Sequence, residues 1–212
     1  MKKFLRLVAV LGVMATAAEV MADVSINNKY LTRMDERIKA EKRTINKNDF
    51  IKRQLMHMRH VQNNMFLLEK NLDKLSFRIK NFELMKRAMF HDLDKLTNKI
   101  EENYDVFRYK FYERNGLTFP DDISVDAIHK TSNEHHNTYS HHFEYHIINN
   151  IPLSDVDICE IASDIYAVKI EKEEQIEDTL KFVDSLAAKF SLKGGEKKKL
   201  VTIIKLLDSL YN

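Results

Sequence analysis

The chain has 212 residues, of which 44% are hydrophobic, and it contains only 4 Gly and 2 Pro. Its 34 basic and 32 acidic residues leave a formal net charge of +2, so the composition indicates no nucleic-acid partner. The single cysteine, Cys159, excludes an intramolecular disulfide and a cysteine-based zinc finger. Few helix breakers, together with many Lys, Glu, Leu, Met and Ile residues, predict an all-α protein built as a multi-helix bundle.

Residues 1–22 have the layout of a secretory signal peptide. The basic start MKKFLR precedes the apolar run LVAVLGVMATAA, and small residues stand just before Asp23. That run is too short to predict a stable transmembrane span. We expect either a signal peptide, which would make the mature chain exported or periplasmic, or an N-terminal helix packed on a cytoplasmic protein.

Three further parts follow. Residues 23–47 form an amphipathic N-terminal segment, residues 48–170 the main domain, and residues 171–212 C-terminal helices that pack on it. Apolar residues at three- and four-residue steps predict a long helix from Phe50 to Leu75. The remaining helices, within a bundle of about seven, are predicted near residues 81–90, 96–115, 123–147, 154–170, 171–190 and 196–212.

Histidines are concentrated in one part of the chain. Six of the nine lie between His129 and His146, in a helix predicted for residues 123–147. A domain does not need such a cluster to fold. The segment is therefore either an unusual surface or part of a metal site.

The segment FHDLDK joins His91 to Asp92, whose short side chains can bind one ion together at a helix end. An imidazole nitrogen and a carboxylate oxygen suit a borderline divalent metal such as Fe, Mn or Zn. Upstream, His57 and His60 share a face of the long helix. Downstream, one helix carries a stripe of carboxylates, namely Asp157, Glu160 and Asp164.

This order of residues resembles the HD-domain superfamily of metal-dependent phosphohydrolases. HDLDK resembles the HD-x-x-K signature of that superfamily. HHFEYH followed by EIASDIYA is similar to an uncharacterised HD-like family of phage and bacterial proteins. The resemblance covers roughly residues 50–168.

The resemblance implies a ligand set for one or two ions. The ligands of the first ion would be His60, His91, Asp92 and Asp164. Two assignments remain open for the middle histidines, either His129 with the pair at 135–136 or His135 with the pair at 141–142, and we favour the second. On an unbroken helix His135 and His142 would share a face and His141 would point elsewhere, which makes His142 the preferred ligand of its pair. Taken alone, His57, His129, His136 and His146 are interpreted as surface or supporting residues.

The implied activity is hydrolysis of a small phosphorylated compound such as a nucleotide. Asp92 would bridge two ions or orient the attacking water, and Lys95 would contact the substrate phosphate. His141, or alternatively His129, would protonate the leaving oxygen, because imidazole titrates near neutral pH. Two alternatives stay open: a di-iron oxygenase on the same ligands, and a non-catalytic metal-binding or structural helical protein.

Overall fold

The computed structural model describes residues 45–211, so the predictions for residues 1–22 and nearly all of 23–47 lie outside the described residues. Within 45–211 the protein is entirely helical and without strands, which confirms the predicted multi-helix bundle. A short 3₁₀ helix spans Leu72–Lys74. The nine α-helices of this part of the chain are α1 (Lys47–Glu69), α2 (Glu83–Ala88), α3 (Asp94–Thr97), α4 (Ile100–Arg114), α5 (Val125–Thr138), α6 (Phe143–Asn149), α7 (Asp155–Lys172), α8 (Ile176–Lys189) and α9 (Gly194–Tyr211).

Helix α7 lies at the centre of the bundle, and its start is set locally. The Ser154 side chain accepts from the backbone N–H of Asp157, while the Asp157 carboxylate accepts from the backbone N–H of Ser154. This reciprocal cap satisfies two backbone donors at the predicted start of the helix. Cys159 is buried on α7, and burial raises the pKa of its thiol to about 12, so it behaves as a small apolar residue.

Helices α1 and α9 pack on α7 around one shared core. Met65 of α1, Ala162 of α7 and Leu207 of α9 are fully buried in the same apolar cluster. Helix α8 adds Val183 to this core. Helix α8 ends at Lys189, close to the predicted end, and α9 begins at Gly194, two residues before its predicted start.

The histidine-rich segment is not one helix, contrary to the prediction for residues 123–147. Helix α5 ends at Thr138 and α6 begins at Phe143. Between them, Tyr139 (φ −107°, ψ 131°) and His142 (φ −121°, ψ 139°) are extended. The break changes the direction of every histidine that follows it.

No helix within residues 45–211 combines the length and apolar character needed to cross a bilayer.

Asn64 joins three helices and provides a test of the fold. Its Nδ2 donates to the backbone oxygen of Ser163 at 2.8 Å, and its Oδ1 accepts from the Tyr211 hydroxyl at 2.7 Å. Asn64→Ala leaves both partners buried without these bonds, so we expect a loss of about 2 kcal/mol or more in the free energy of unfolding. Tyr211→Phe removes one bond only and should cost less. Urea titration measures both losses, and equal losses would contradict this account.

Candidate metal centre

The candidate site lies where five segments of the chain meet. They are α1 with His57, the turn at 90–93, the end of α5 with His135, the break between α5 and α6, and α7 with Asp164. Only the tertiary fold brings these segments together, since His57 and Asp164 are more than a hundred residues apart in the sequence.

Asp92 occupies the middle of the site. Its side chain is 2% exposed, and its backbone is left-handed, with φ of 55°. Asp tolerates this conformation better than most residues other than Gly, at a cost in strain. The strained turn holds the carboxylate inside the bundle, where it faces α1, α5 and α7.

Each oxygen of Asp92 has its own neighbours. Oδ2 accepts from Gln54 Nε2 at 3.0 Å and from Lys95 Nζ at 2.6 Å. Oδ1 lies 3.2 Å from His135 Nε2 and 3.3 Å from His141 Nε2. Burial alone would raise the pKa of Asp92, but Lys95 and the neighbouring imidazoles hold that pKa well below its usual value. The carboxylate is therefore ionised at neutral pH.

The first potential ligand group surrounds Oδ1 of Asp92. It consists of Asp92, His135, His141 and His142, each offering an atom within 4.8 Å of the others. Because the chain is extended at His142, both members of the His141–His142 pair reach the group. The prediction that His141 points elsewhere depended on an unbroken helix and is wrong.

The second group combines His57, His91 and Asp164, again with ligand atoms within 4.8 Å of one another. His57 Nε2 lies 3.0 Å from Asp164 Oδ1 and 3.9 Å from Asp92 Oδ2. His91 Nε2 lies 3.8 Å from the same Asp92 oxygen. Asp92 therefore stands between the two groups, with one oxygen toward each.

Carboxylates outside the two groups orient three of the imidazoles. Nδ1 of His57 lies 2.7 Å from a carboxylate oxygen of Glu171. Nδ1 of His91 lies 3.1 Å from one of Glu160, and Nδ1 of His135 lies 3.1 Å from one of Asp94. An ionised carboxylate only accepts, so in each case Nδ1 carries the proton. The Nε2 atom is then left to face the centre, which is the arrangement that carboxylates impose on metal-binding histidines.

Some buried polar atoms in the centre lack hydrogen-bond partners among residues 45–211. They are the Nε2 atoms of His91 and His142, while those of His135 and His141 face only Oδ1 of Asp92, at 3.2 and 3.3 Å. Buried polar atoms are normally paired, because an unpaired one costs free energy. Burial, followed by repulsion from His141 and His135, lowers the pKa of His142 and keeps it neutral. These unpaired atoms converge on one space and have the chemistry of metal ligands.

Glu160 supports the site and is also one corner of a third group, with His91 and His141. Its Oε1 lies 3.1 Å from Nδ1 of His91 and 3.6 Å from Nδ1 of His141. On its other side, Arg87 Nε donates to Glu160 Oε2 at 2.7 Å, and Arg87 also donates to Ser140 Oγ at 2.5 Å. Because Arg87 neutralises Glu160, we interpret this carboxylate as an anchor for the two histidines.

The structure brings together most of the sequence-predicted ligands, namely His91, Asp92, His135, His142 and Asp164. His141, predicted as an acid catalyst, joins them. Lys95 is paired with Asp92.

His60 is buried but belongs to none of the three groups found among residues 45–211. Its expected place is taken by His57, one helical turn earlier. Side chains three residues apart on an α-helix point about 60° away from each other around the helix axis. Of the two histidines, only His57 is directed at Asp164.

The other histidines lie outside the groups. His129 is exposed beside Tyr109, so the alternative assignment through His129 finds no geometric support. His146 contacts two backbone oxygens, those of Ser140 at 2.8 Å and Ile151 at 3.1 Å.

Sequence reasoning did not select His57 as a potential ligand or Glu171 as its hydrogen-bond partner. A signal was present, because Asp164 and Glu171 are seven residues apart and share one face of α7. Burial disfavours a charged His57, yet Glu171 and Asp164 outweigh it and hold the pKa of His57 well above its usual value.

A cavity of about 600 Å³ opens beside the centre, and three potential ligands, His141, His142 and Asp164, line it. This volume falls within the range of sites for small organic ligands. Its cationic lining residues are Lys110, Arg114, Lys172 and Lys189. Its apolar lining includes Phe143, Ile165, Phe182, Leu186 and Phe190. Four carboxylates also line it, those of Glu144, Asp164, Glu174 and Asp178, of which Glu144 pairs with Lys189 and Glu174 with Lys172. An anionic group therefore finds its cations at Lys110 and Arg114, with the apolar wall beside them.

A family model described as a family of unknown function (DUF5662) matches residues 46–206. This range holds every residue of the centre. No curated protein and no solved structure matches the chain.

The two histidines of α1 can be distinguished by metal content. We expect His57→Ala to lower the amount of Fe, Mn or Zn retained by the purified protein, because it removes an imidazole directed at Asp164. His60→Gln should retain the metal content of the unsubstituted protein. Elemental analysis of folded protein, with folding checked by circular dichroism, measures the difference. Loss of metal from the His60 variant alone would contradict the assignment.

The raised pKa of His57 has a consequence for stability in protein kept metal-free with a chelator. A histidine whose pKa is higher in the folded state than in the unfolded state stabilises the fold when it is protonated. Its contribution is complete below the pKa of the unfolded state, about 6.5 for His, and is lost as pH rises through the pKa of the folded state. As pH rises above about 6.5, we expect the free energy of unfolding to fall more steeply in the unsubstituted protein than in His57→Gln. Urea titrations across this range test it, and parallel pH profiles would contradict it.

Proposed function

The chain belongs to the DUF5662 family of unknown function, and for this member we propose a metal-dependent phosphohydrolase of HD type that acts on a small phosphorylated compound. One observation carries the proposal: imidazole Nε2 atoms from three separate segments converge on the buried Asp92 carboxylate, two of them within 3.3 Å of its Oδ1. A buried cluster of this kind is costly without an ion and favourable with one.

The proposal assigns two ions, one to each side of Asp92. The ligands of the first ion are His57, His91, Asp92 and Asp164. Those of the second are Asp92, His135, His141 and His142. Nitrogen-rich sets with one or two carboxylates suit Fe, Mn or Zn better than Mg or Ca.

Such ions supply an activated water and neutralise charge on a phosphoryl group. The protein contributes the setting for this chemistry. Asp92 holds the two ligand groups together, and the outer carboxylates Glu171, Glu160 and Asp94 fix the imidazoles. Lys95, 2.6 Å from Asp92 Oδ2, places a positive charge beside the centre, where it can interact with the substrate phosphate.

His141 has a different role in this proposal from the one that the sequence suggested. A histidine that holds an ion through Nε2 cannot also deliver a proton from that atom to a leaving oxygen. We therefore assign His141 to the second ion. The distance of 3.3 Å between its Nε2 and Asp92 Oδ1 supports this assignment.

The adjoining cavity supports catalysis over a purely structural role. A structural metal site is closed by protein ligands, whereas a catalytic site keeps access for substrate. Here His141, His142 and Asp164 border a cavity of about 600 Å³. Lys110 and Arg114 on its wall, which have no carboxylate within ion-pair distance in the described part of the chain, favour a phosphorylated substrate.

The decisive experiment compares Asp92→Asn and His91→Ala with the unsubstituted protein after loading with Fe, Mn or Zn. Asparagine tolerates the left-handed backbone at position 92, so this variant removes the charge while keeping the turn. We expect both substitutions to lower hydrolysis of a phosphate monoester panel by at least about a hundredfold, on the scale of losing a transition-state interaction. Phosphate release and metal content are the measurements.

His129→Ala is the matched control, since His129 is exposed and outside the groups. Unchanged phosphatase activity in His91→Ala, together with absence of bound metal, would reject the proposal. Iron binding with oxygen consumption and no phosphate release would favour the oxygenase instead.

A further inference from the structure

Helix α4 places two cations on the wall of the large cavity. Lys110 and Arg114 are four residues apart, so they are neighbours on one face of the helix, with Cβ atoms roughly 5–6 Å apart. Lys110 also lines a smaller cavity of about 140 Å³, together with Lys95 and His135. Lys110 therefore lies between the metal centre and the large cavity.

These two cations differ from the others that line the cavity. Lys172 is 3.2 Å from Glu174, and Lys189 is 3.7 Å from Glu144. By contrast, no carboxylate in the part of the chain that the structure describes lies within ion-pair distance of Lys110 or Arg114.

The environment of Lys110 concentrates positive charge. Lys110 is exposed, yet crowding by the surrounding protein, and then repulsion from Lys95 and Arg114, lowers its pKa, with Asp92 and Glu113 acting in the opposite direction. Lys110 and Arg114 repel each other at the wall of the large cavity, whereas Lys95 is paired with Asp92, so an anion bound at Lys110 and Arg114 relieves that repulsion. A polyvalent anion is the most effective partner, because each charge-assisted bond is stronger than a neutral one.

We propose that Lys110 and Arg114 bind a second phosphate group, so that the compound taken by the cavity is a bisphosphorylated organic molecule. This inference rests on the proposed function, since it takes the first phosphate to lie at the metal centre beside Lys95. The organic part between the phosphates lies against the apolar wall of α8, where Phe182 and Leu186 line the cavity.

The test uses alkane-α,ω-bisphosphonates of three to six carbons and the alkylphosphonates of the same lengths, which the protein cannot hydrolyse as esters. Calorimetric titration of the metal-loaded protein measures both affinities. For at least one length we expect the bisphosphonate to bind about tenfold or more tightly than its matched monophosphonate, as an added charge-assisted interaction predicts.

The variant Lys110→Gln/Arg114→Gln should remove this preference and leave binding of the monophosphonate unchanged. The matched control is Lys198→Gln/Lys205→Gln, which removes the same net charge from two exposed positions of α9 and should keep the preference. Absence of a preference at every length, or a preference that survives in the Lys110/Arg114 variant, overturns the inference.

The results also separate this inference from the proposed function. Hydrolysis of simple phosphate esters without any preference for bisphosphonates overturns the second phosphate site alone. The preference without any hydrolysis overturns the phosphohydrolase proposal and leaves a site for two anions.

Discussion

The burial of one negative charge organises this protein. A carboxylate as enclosed as that of Asp92 is unfavourable unless other groups compensate for the lost water. Gln54 from α1, Lys95 from α3 and histidines from two further segments supply that compensation. The helices that surround Asp92 are thus positioned by a shared electrostatic requirement as well as by their apolar faces, and both ligand groups form around the same carboxylate.

Sequence reasoning predicted the elements whose limits depend on local chemistry. Ser154 caps α7 through its own side chain, and Gly116, with φ of 59°, follows the end of α4. The break between α5 and α6 has no Gly or Pro to indicate it. It is stabilised by distant contacts, such as that of Arg87 with Ser140, and these cannot be read from the segment itself. The bundle was therefore predictable, while the path of its histidine segment was not.

The site was predictable to a similar degree. Order along the chain identified His91, Asp92 and Asp164, because those residues stand out in short motifs. The choice between His57 and His60 depends on how α1 is rotated against α7, and the full pattern of packed residues sets that rotation. Glu160 and Glu171 were hidden for another reason: acidic residues on a helix are usually solvated, and only the fold shows that these two face imidazoles.

The five segments that build the centre are adjacent only when the chain is folded. An ion held there would bind the native state and hardly at all the unfolded one, so its concentration would shift the folding equilibrium by mass action. Metal supply would then govern how long each molecule survives proteolysis in the cell, apart from any effect on turnover. A shortage of the ion would show first as a lower abundance of the protein.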